Sequence, residues 1–182
     1  MDNAEQLLRQ FKEGDEHAFE EFVKGLWKPI FQLAYRFTGS SHEAEDLCQE
    51  TFMKVYQNAK TFRGESKAFT WVYRIASNVC LNWKRKKIPE PAPPDIMPHE
   101  RHDFLMKLEL QEVFNKLSAP ERMLVLLSKF YGFSYQEIGD ILSISPEKVK
   151  SRLHEAKVKL TKELPEFFKK GGGVNGLQES TV

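Results

Sequence analysis

The chain has 182 residues, 41% of them hydrophobic and 29% charged, and its formal net charge is +1 at pH 7. This length and composition fit one or two small globular domains, and the charge alone does not indicate nucleic acid. No apolar run approaches the ~20 residues that cross a bilayer, and the polar first residues do not resemble a secretory signal, so we expect no membrane insertion. Cys48 and Cys80 lack metal-like spacing. We expect buried thiols in a reduced, cytoplasmic protein; a disulfide or a sensing role stays open.

The first predicted helix begins near Phe19 and ends at Gly39. Its apolar residues recur at steps of three and four, which is the period of one helix face. They are Phe19, Phe22, Val23, Leu26, Ile30, Leu33, Ala34 and Phe37. Gly39 favours helix termination because glycine readily adopts the left-handed conformation. Ser40 and Glu43 then have the spacing of a capping box, which predicts the start of a second helix.

This second predicted helix, EAEDLCQETFMKVY (43–56), has two chemically different faces. The apolar face consists of Ala44, Leu47, Cys48, Thr51 and Val55. The opposite face consists of Glu43, Asp46, Gln49, Glu50 and Met53. No lysine falls within this acidic stripe, so we interpret it as a docking surface for a basic, partly apolar protein surface. A solvated face and a metal or acid–base site are the alternatives, and only His42 could add a histidine to such a site.

The third predicted helix lies in KTFRGESKAFTWVYRIASNVCLNWKRKK (60–87), which starts as a loop. Its expected inward face is Phe69, Val72, Ala76, Val79 and Trp83. A second stripe combines aromatic, amide and basic groups at Trp71, Arg74, Asn78, Asn82 and Arg85. These groups suit single-stranded nucleic acid, because bases stack on rings, amides read base edges and cations hold phosphates. The alternative is an ordinary amphipathic helix in which Trp71 and Tyr73 pack in the core.

A proline-rich segment, IPEPAPPDIMP (88–98), separates two predicted modules. It holds five of the nine prolines, and consecutive prolines favour an extended, solvated chain. We therefore predict a module at 1–87, a linker at 88–102, a second module at 103–170 and a disordered glycine-rich tail at 171–182. No segment alternates with period two for long enough to indicate a sheet. The predicted fold class is all-α, with two small helical domains.

The second module contains a predicted helix-turn-helix. A preceding helix is expected to be lined by Met106, Leu110, Val113 and Leu117. Capping-box spacings follow at Ser118–Glu121 and at Ser134–Glu137, and the latter opens a helix of about two turns. Ile144 is the expected apolar plug of the turn. Ser145 and Pro146 then have the chemistry of a new helix start.

The last predicted helix changes the sign of the local charge. Acidic side chains outnumber basic ones over 103–147, whereas basic ones dominate 148–170. Its expected outward face carries Glu147, Lys148, Lys150, Ser151, Arg152 and His154. Such a helix fits the DNA major groove with its N-terminal residues near base edges. The pattern therefore favours DNA binding over an ordinary helical hairpin.

Together these stretches resemble the bacterial sigma factors of RNA polymerase, most closely the short extracytoplasmic-function (ECF) group. EAEDLCQETFMKVY resembles the family's polymerase-clamp-binding helix. FRGESKAFTWVYRIASNVCLNWKRKK resembles its element for recognising and melting the −10 promoter element. SYQEIGDILSISPEKVKSRLHEAKVKL resembles its −35-reading helix-turn-helix. The resemblance departs at Glu155 and Thr161, where the family commonly has basic residues.

The resemblance implies three sets of site residues. The polymerase-binding set is Asp46, Gln49, Glu50 and Met53. The −10 set begins with a base-capturing loop, Phe62, Arg63, Gly64, Glu65, Ser66 and Lys67. It continues on the helix with Trp71, Arg74, Asn78, Lys84, Arg85, Lys86 and Lys87. The −35 set is Ser145, Lys148, Lys150, Ser151, Arg152, His154 and Lys157.

The implied partners are core RNA polymerase (its clamp and flap elements), promoter DNA and an anti-sigma factor. The resemblance implies no cofactor, metal or catalytic residue; the chain would direct transcription initiation and stabilise the open bubble, in a stress or envelope response. A stand-alone helix-turn-helix regulator is the first alternative, but it leaves the acidic stripe and the 60–87 helix unexplained. An enzyme acting on nucleic acid is the second. Its candidate cluster, HERH (99–102), lacks partners at ligand spacing.

Overall fold

The computed structural model describes residues 3–64, 66–86 and 116–163. Within these ranges the regular elements are helices, so the all-α prediction is confirmed, and the chain divides into two compact units. The first unit contains α1 (Ala4–Lys12), α2 (Glu16–Thr38), α3 (Ser41–Asn58) and α4 (Ala68–Lys86). The second contains α5 (Ala119–Val125), most of α6 (Tyr135–Leu142) and α7 (Pro146–Glu163). A 3₁₀ turn follows α3 at Ala59–Thr61, and a π-helical turn follows α5 at Leu126–Phe130.

Helix α2 is the long helix that the apolar spacing predicts, but it begins earlier than expected, at Glu16. Asp15 caps it by accepting a hydrogen bond from the Ala18 backbone N–H at 3.2 Å. Gly39 ends it in the left-handed conformation, with φ 80°, as predicted. Helix α1 is a further helix that the spacing argument misses. Its polar and apolar residues separate onto two faces, so the periodic signal is present in the sequence, although Leu8 is its one buried residue.

Helix α3 packs against both α2 and α4. Its buried residues are Ala44, Leu47, Cys48, Thr51, Phe52 and Val55. Thr51 is polar but satisfied, because its hydroxyl donates to the Leu47 carbonyl oxygen at 2.7 Å. Burying a side chain such as Leu47 or Val55 contributes about 1.5–3 kcal/mol. This apolar face therefore determines which side of α3 is left to solvent.

The two cysteines are buried free thiols, as expected. Burial raises the pKa of Cys48 and of Cys80 to about 12. Both therefore stay protonated at neutral pH, and a protonated thiol is a poor nucleophile. Cys48 Sγ lies 3.9 Å from the Trp27 carbonyl oxygen, within reach of a weak hydrogen bond. The two residues act as small hydrophobic side chains in the core of the first unit.

Both capping boxes predicted in the second unit are present. The Ser118 N–H donates to a Glu121 carboxylate oxygen at 2.6 Å. The Ser134 N–H donates to Glu137 at 2.9 Å, and the Glu137 N–H donates back to Ser134 Oγ at 3.3 Å. These bonds satisfy N–H groups that every helix start leaves without a partner inside the helix. They fix where α5 and α6 begin.

The corner between α6 and α7 depends on Gly139, which the sequence pattern of the turn did not single out. The Ile144 N–H donates to the Gly139 carbonyl oxygen at 3.0 Å, so the chain folds back over α6. A Cβ atom on Gly139 would lie 2.7 Å from the Ile144 carbonyl oxygen. Ser143 makes the turn with φ 56°, a left-handed conformation uncommon outside glycine. Ile144 is half-buried, so it plugs the corner only in part.

Several predicted features lie outside the described residues. They are the 88–102 linker with HERH, the 171–182 tail, and the helix predicted before α5 except for its last apolar residue, Leu117. Leu117 is buried, as its predicted place on the apolar face requires.

Candidate functional site

The acidic stripe of α3 forms an exposed surface. We call it the acidic surface, and it consists of Asp46, Gln49, Glu50 and Met53, all of them exposed. Met53 leaves 63% of its area accessible, so the surface includes an apolar group beside its carboxylates. His42 Nδ1 lies 3.3 Å from Asp46 Oδ2. A backbone hydrogen bond and then the charge of Asp46 raise the pKa of His42.

Three points about this stripe and the start of its helix differ from the expectations. Glu43 is half-buried and accepts a hydrogen bond from Trp83 Nε1 of α4 at 2.6 Å, so it ties two helices together. The Ser40–Glu43 capping box is only half as predicted. Ser40 Oγ accepts from the Glu43 N–H at 3.3 Å, but the Ser40 N–H donates to Thr38 Oγ1. The stripe is also not remote from lysine, because Lys54 Nζ lies 3.2 Å from Glu50 Oε1.

Aromatic side chains of α2 and α3 lie beside this surface. Trp27 of α2 stacks on Phe52 of α3, with ring centroids 5.8 Å apart and planes 16° apart. Trp27 is exposed, whereas Phe52, the neighbour of Met53 in the chain, is buried. Trp27 therefore presents an exposed aromatic ring that packs on the residue before Met53. The acidic stripe alone gives no signal of it, since Trp27 comes from another helix.

The loop that precedes α4 is held at both ends by α1. Lys12 Nζ donates to the Phe62 carbonyl oxygen at 2.8 Å. Glu5 Oε1 accepts from the Ala68 N–H at 2.9 Å and so caps the start of α4. The Phe62 ring packs on Trp71, with centroids 5.0 Å apart. No local pattern reveals the roles of Lys12 and Glu5, because their partners lie 50 and 63 residues away.

Within this loop the described side chains differ in exposure. Arg63, Gly64 and Lys67 are exposed, Phe62 and Ser66 are half-buried, and Glu65 lies outside the described residues. Gly64 has φ +76°, a conformation that a side chain would strain. The loop therefore presents basic and backbone groups at its surface, with the Phe62 ring beneath them.

An open pocket of about 320 Å³ lies between the end of α3, the 3₁₀ turn and α4. Its lining residues are Lys54, Asn58, Thr61, Trp71, Ile75, Asn78 and Val79. It combines an aromatic ring, two amides and a cation, the groups that bind unstacked bases. The structure thus brings Trp71 and Asn78 together. Arg74 is half-buried outside this lining, and Tyr73, the other candidate aromatic, is a core residue.

The basic cluster 84–87 is described only in part. The backbone of Lys84, Arg85 and Lys86 continues α4, their side chains are not described, and Lys87 lies beyond the described range. Their predicted DNA contacts stay predictions.

Helix α7 begins as its sequence predicts. Ser145 Oγ accepts from the Lys148 N–H at 3.3 Å, and Pro146 is the first helical residue. Val149 and Ala156 are fully buried, so the opposite side of the helix faces solvent. The exposed members of the −35 set are Ser145, Lys148, Lys150, Ser151, His154 and Lys157. Arg152 is half-buried rather than directed outward, which corrects its expected position.

The described part of the chain contains neither a membrane-spanning helix nor a metal-binding cluster. Among helices of residues 3–64, 66–86 and 116–163, none combines the length and the apolarity that crossing a membrane requires. In the same part of the chain, no group of three or more His, Cys, Asp and Glu side chains could hold a metal ion.

Comparison with known proteins identifies the family. The family model for sigma-70 region 2 matches residues 22–88, and that for sigma-70 region 4 matches residues 107–160. The ECF RNA polymerase sigma factor SigW of Bacillus subtilis is 34% identical over 179 residues, covering 86% of this chain and 94% of SigW. The chain belongs to the ECF sigma factors of RNA polymerase.

Two solved structures share the fold of this sigma factor. CnrH, solved in complex with the cytosolic domain of CnrY, matches with a TM-score of 0.70 and 23% identity, over 87% of this chain and 95% of CnrH. The sigma factor RpoE of Bartonella quintana, solved with the anti-sigma factor NepR, matches with a TM-score of 0.63 and 24% identity, over 81% and 97%. At these identities the likeness concerns the fold alone.

The two matched family regions correspond to the two units of this sigma factor. The region 2 match spans α3, the loop and α4, and the region 4 match spans α5, α6 and most of α7. The chain is a promoter-directing sigma factor, and the stand-alone regulator is not favoured. The resemblance drawn from the sequence is confirmed.

Proposed function

We propose that this sigma factor docks core RNA polymerase through the acidic surface of α3, captures separated −10 DNA beside α4, and reads the −35 element with α7. The observation that carries the proposal is a pair of exposed, oppositely charged helix faces on units that match regions 2 and 4. The modules at 1–87 and 103–170 then act as two DNA-reading domains joined by the 88–102 linker. Linking them raises the effective concentration of the second at the promoter once the first is bound.

Exposure and charge support the acidic surface as the polymerase contact. Asp46 and Glu50 point away from the packed face of α3, and Met53 adds an exposed apolar contact. A surface of this kind complements a basic, partly apolar patch on the clamp. Charge complementarity speeds association and suppresses wrong partners. The exposed Trp27 ring extends the same surface with an aromatic group, a residue type enriched at binding hot spots.

The pocket beside α4 supports capture of an unpaired base. Trp71 offers a ring for stacking, and Asn58 and Asn78 offer amides to a base edge. Lys54 adds a cation near the pocket, and Arg63 and Lys67 add exposed cations on the loop. A stacked base cannot enter such a pocket, so binding there favours separated strands. Opening costs about 1.4 kcal/mol of stacking per base-pair step, which polymerase and DNA binding must offset.

The shape of α7 supports its placement in the major groove. Its exposed face carries Lys148, Lys150 and Ser151 within two turns of the helix start. Helix-turn-helix proteins place the N-terminal residues of the second helix against base edges. Lys157, further along, suits a phosphate contact that positions the helix without specifying sequence.

The remaining parts of the proposal concern location and partners. The protein acts in the cytoplasm with core polymerase, through its clamp and flap elements, and it supplies no catalytic group of its own. We propose an anti-sigma factor as a regulatory partner, because RpoE of similar fold was solved with the anti-sigma factor NepR. Release from that partner would connect transcription to a stress or envelope signal.

Run-off transcription tests the proposal. Purified core polymerase is combined with this chain and a library of genomic fragments, and the transcripts are sequenced. The expected result is initiation at a small set of fragments that share a −35 and a −10 element, with none of these transcripts from core polymerase alone. Transcripts that do not depend on the chain would contradict the proposal.

A further inference from the structure

Glu155 is an acidic side chain of α7 that phosphate binding does not explain. It lies mid-helix and exposed, away from the buried Val149 and Ala156. DNA phosphates attract lysine and arginine and repel a carboxylate. A carboxylate on a helix that enters the major groove therefore weakens binding unless it contacts a base.

The neighbouring charges have contacts of their own. Glu147 lies in the first turn, where a backbone hydrogen bond and then Ser145 lower its pKa, so it acts at the helix start. Lys159 lies four residues after Glu155, at the spacing of a helical ion pair, but its Nζ is 3.3 Å from Glu121 Oε2 of α5. Glu155 instead accepts a hydrogen bond from Ser151 Oγ at 3.2 Å, one turn earlier on the same exposed face.

This hydrogen bond orients Glu155 without using up its acceptors. An ionised carboxylate has two oxygens and about four lone-pair sites, and Ser151 occupies one of them at Oε1. The carboxylate therefore reaches the groove as a fixed acceptor. In the major groove only cytosine and adenine present an amino donor, N4 and N6, whereas thymine O4 and guanine O6 are acceptors.

We propose that Glu155, oriented by Ser151, determines −35 specificity by accepting a hydrogen bond from the exocyclic amino group of cytosine or adenine. The proposal rests on the proposed function, since it requires α7 to lie in the major groove. Glu155 is then a base-reading residue and Ser151 a positioning residue. Where the family commonly has a basic residue, Glu155 would therefore give this chain a different base preference.

The test is a promoter library in which each −35 position is randomised in turn, transcribed by core polymerase with the full chain. At one position the wild-type chain should favour cytosine or adenine over thymine and guanine by about tenfold, the scale of one good base contact. Glu155→Ala should remove that preference at that position only. Ser151→Ala should reduce the preference at that position. The Ser151/Glu155 double variant should lose no more of this preference than Glu155→Ala alone. Both side chains are exposed, so we expect the variants to fold like wild type.

Base analogues that lack the exocyclic amino group test whether this group is what Glu155 contacts. Replacing the preferred cytosine by 2-pyrimidinone, or the preferred adenine by purine, deletes the amino group. Wild type should lose activity about as much as on the disfavoured base, whereas Glu155→Ala should not respond. Glu13→Ala, the same change of charge at an exposed position of the first unit, should leave the whole profile unchanged.

Two outcomes would overturn the inference. If Glu155→Ala keeps the wild-type profile at every −35 position, or changes all positions equally, Glu155 does not read a base although α7 still does. If wild type has no preference at any −35 position, the proposed role of α7 fails, and the inference fails with it. The two failures are distinguished by the wild-type profile alone.

Discussion

Helices α3 and α7 are both 18 residues long, yet they present opposite chemistry to solvent. Helix α3 packs on α2 and α4 and buries six residues, so its exposed side is a strip flanked by other helices. In α7 the buried residues are Val149, Ala156 and Leu160, and more of its circumference is exposed. The difference shows that the number of residues a helix buries limits the surface it leaves for a partner. A flanked strip suits a flat protein partner, whereas a more exposed helix suits a groove about 12 Å wide.

The largest expected effect comes from reversing the charge of the flanked strip. Asp46→Lys with Glu50→Lys should abolish binding to core polymerase, because like charges across a complementary interface cost several kcal/mol. Helicity and Tm should stay near wild type, since both side chains are exposed. A fluorescence titration with core polymerase measures the loss.

The matched control for that reversal is Glu13→Lys with Glu20→Lys, the same change of charge at exposed positions outside α3. It should bind core polymerase normally. Unchanged affinity in the Asp46/Glu50 variant would assign polymerase binding to another surface. Helix α3 would then have no binding role to compare with that of α7.

Helix α7 depends on the corner that joins it to α6, which Gly139→Ala should damage. The new Cβ would lie 2.7 Å from the Ile144 carbonyl oxygen, a backbone atom that cannot rotate away. We expect a loss of about 3 kcal/mol in the free energy of unfolding, the upper end of the usual cost of overpacking. Urea denaturation of the full chain measures it.

Gly25→Ala is the control for the corner, because nothing lies within 4 Å of a Cβ at Gly25 in α2. It should stabilise the protein by about 0.5–1 kcal/mol through helix propensity. Equal effects of the two substitutions would show that the corner tolerates a side chain.

A smaller effect is expected at Arg152, whose half-buried side chain flanks the exposed face of α7. Arg152→Ala should cost about 2 kcal/mol on promoters with the preferred −35 sequence if it contacts a base edge. Arg152→Met separates the lost charge from lost packing of the stem. Equal losses on scrambled −35 DNA would instead indicate a phosphate contact.

The smallest effect concerns the pH dependence of the α3 strip. The pKa of His42 is raised above its ordinary 6.5 by a backbone hydrogen bond and by Asp46, so the folded state binds the proton more tightly. The resulting stability is present below pH 6.5 and is lost as pH rises through the raised pKa. His42→Gln should therefore lower Tm slightly near pH 5.5 and leave it unchanged near pH 8, measured at low salt. A difference in Tm between His42→Gln and wild type that does not change with pH would exclude a stabilising His42–Asp46 ion pair.

Local signals in the sequence predicted much of the fold. Ser134 and Glu137 are three residues apart, so their capping box can be read directly, and Gly39 ends α2 as its chemistry requires. Contacts between distant residues could not be predicted in this way. Glu43 was placed on the exposed stripe by its spacing, yet its carboxylate binds Trp83, 40 residues away on α4.

The same limit applies to the sites. The sequence pattern placed Asp46 and Glu50 on one face correctly, because helical spacing alone determines that geometry. It did not reveal that Lys12 and Glu5 of α1 hold the two ends of the loop before α4. Nor did it identify the pocket lining contributed by Lys54 and Asn58, because a pocket depends on how separate helices pack.

Permanganate footprinting of unpaired thymines tests the central claim most directly, namely that this chain enables core polymerase to open promoter DNA through α4. With wild type, thymines around the −10 element should become reactive on duplex promoters. Arg74→Ala with Asn78→Ala should slow this opening while closed-complex formation stays nearly intact. A template with a pre-melted −10 bubble should partly restore transcription, because the stacking cost is already met. Duplex opening at the wild-type rate in the double variant would contradict the account and make α4 a purely structural helix.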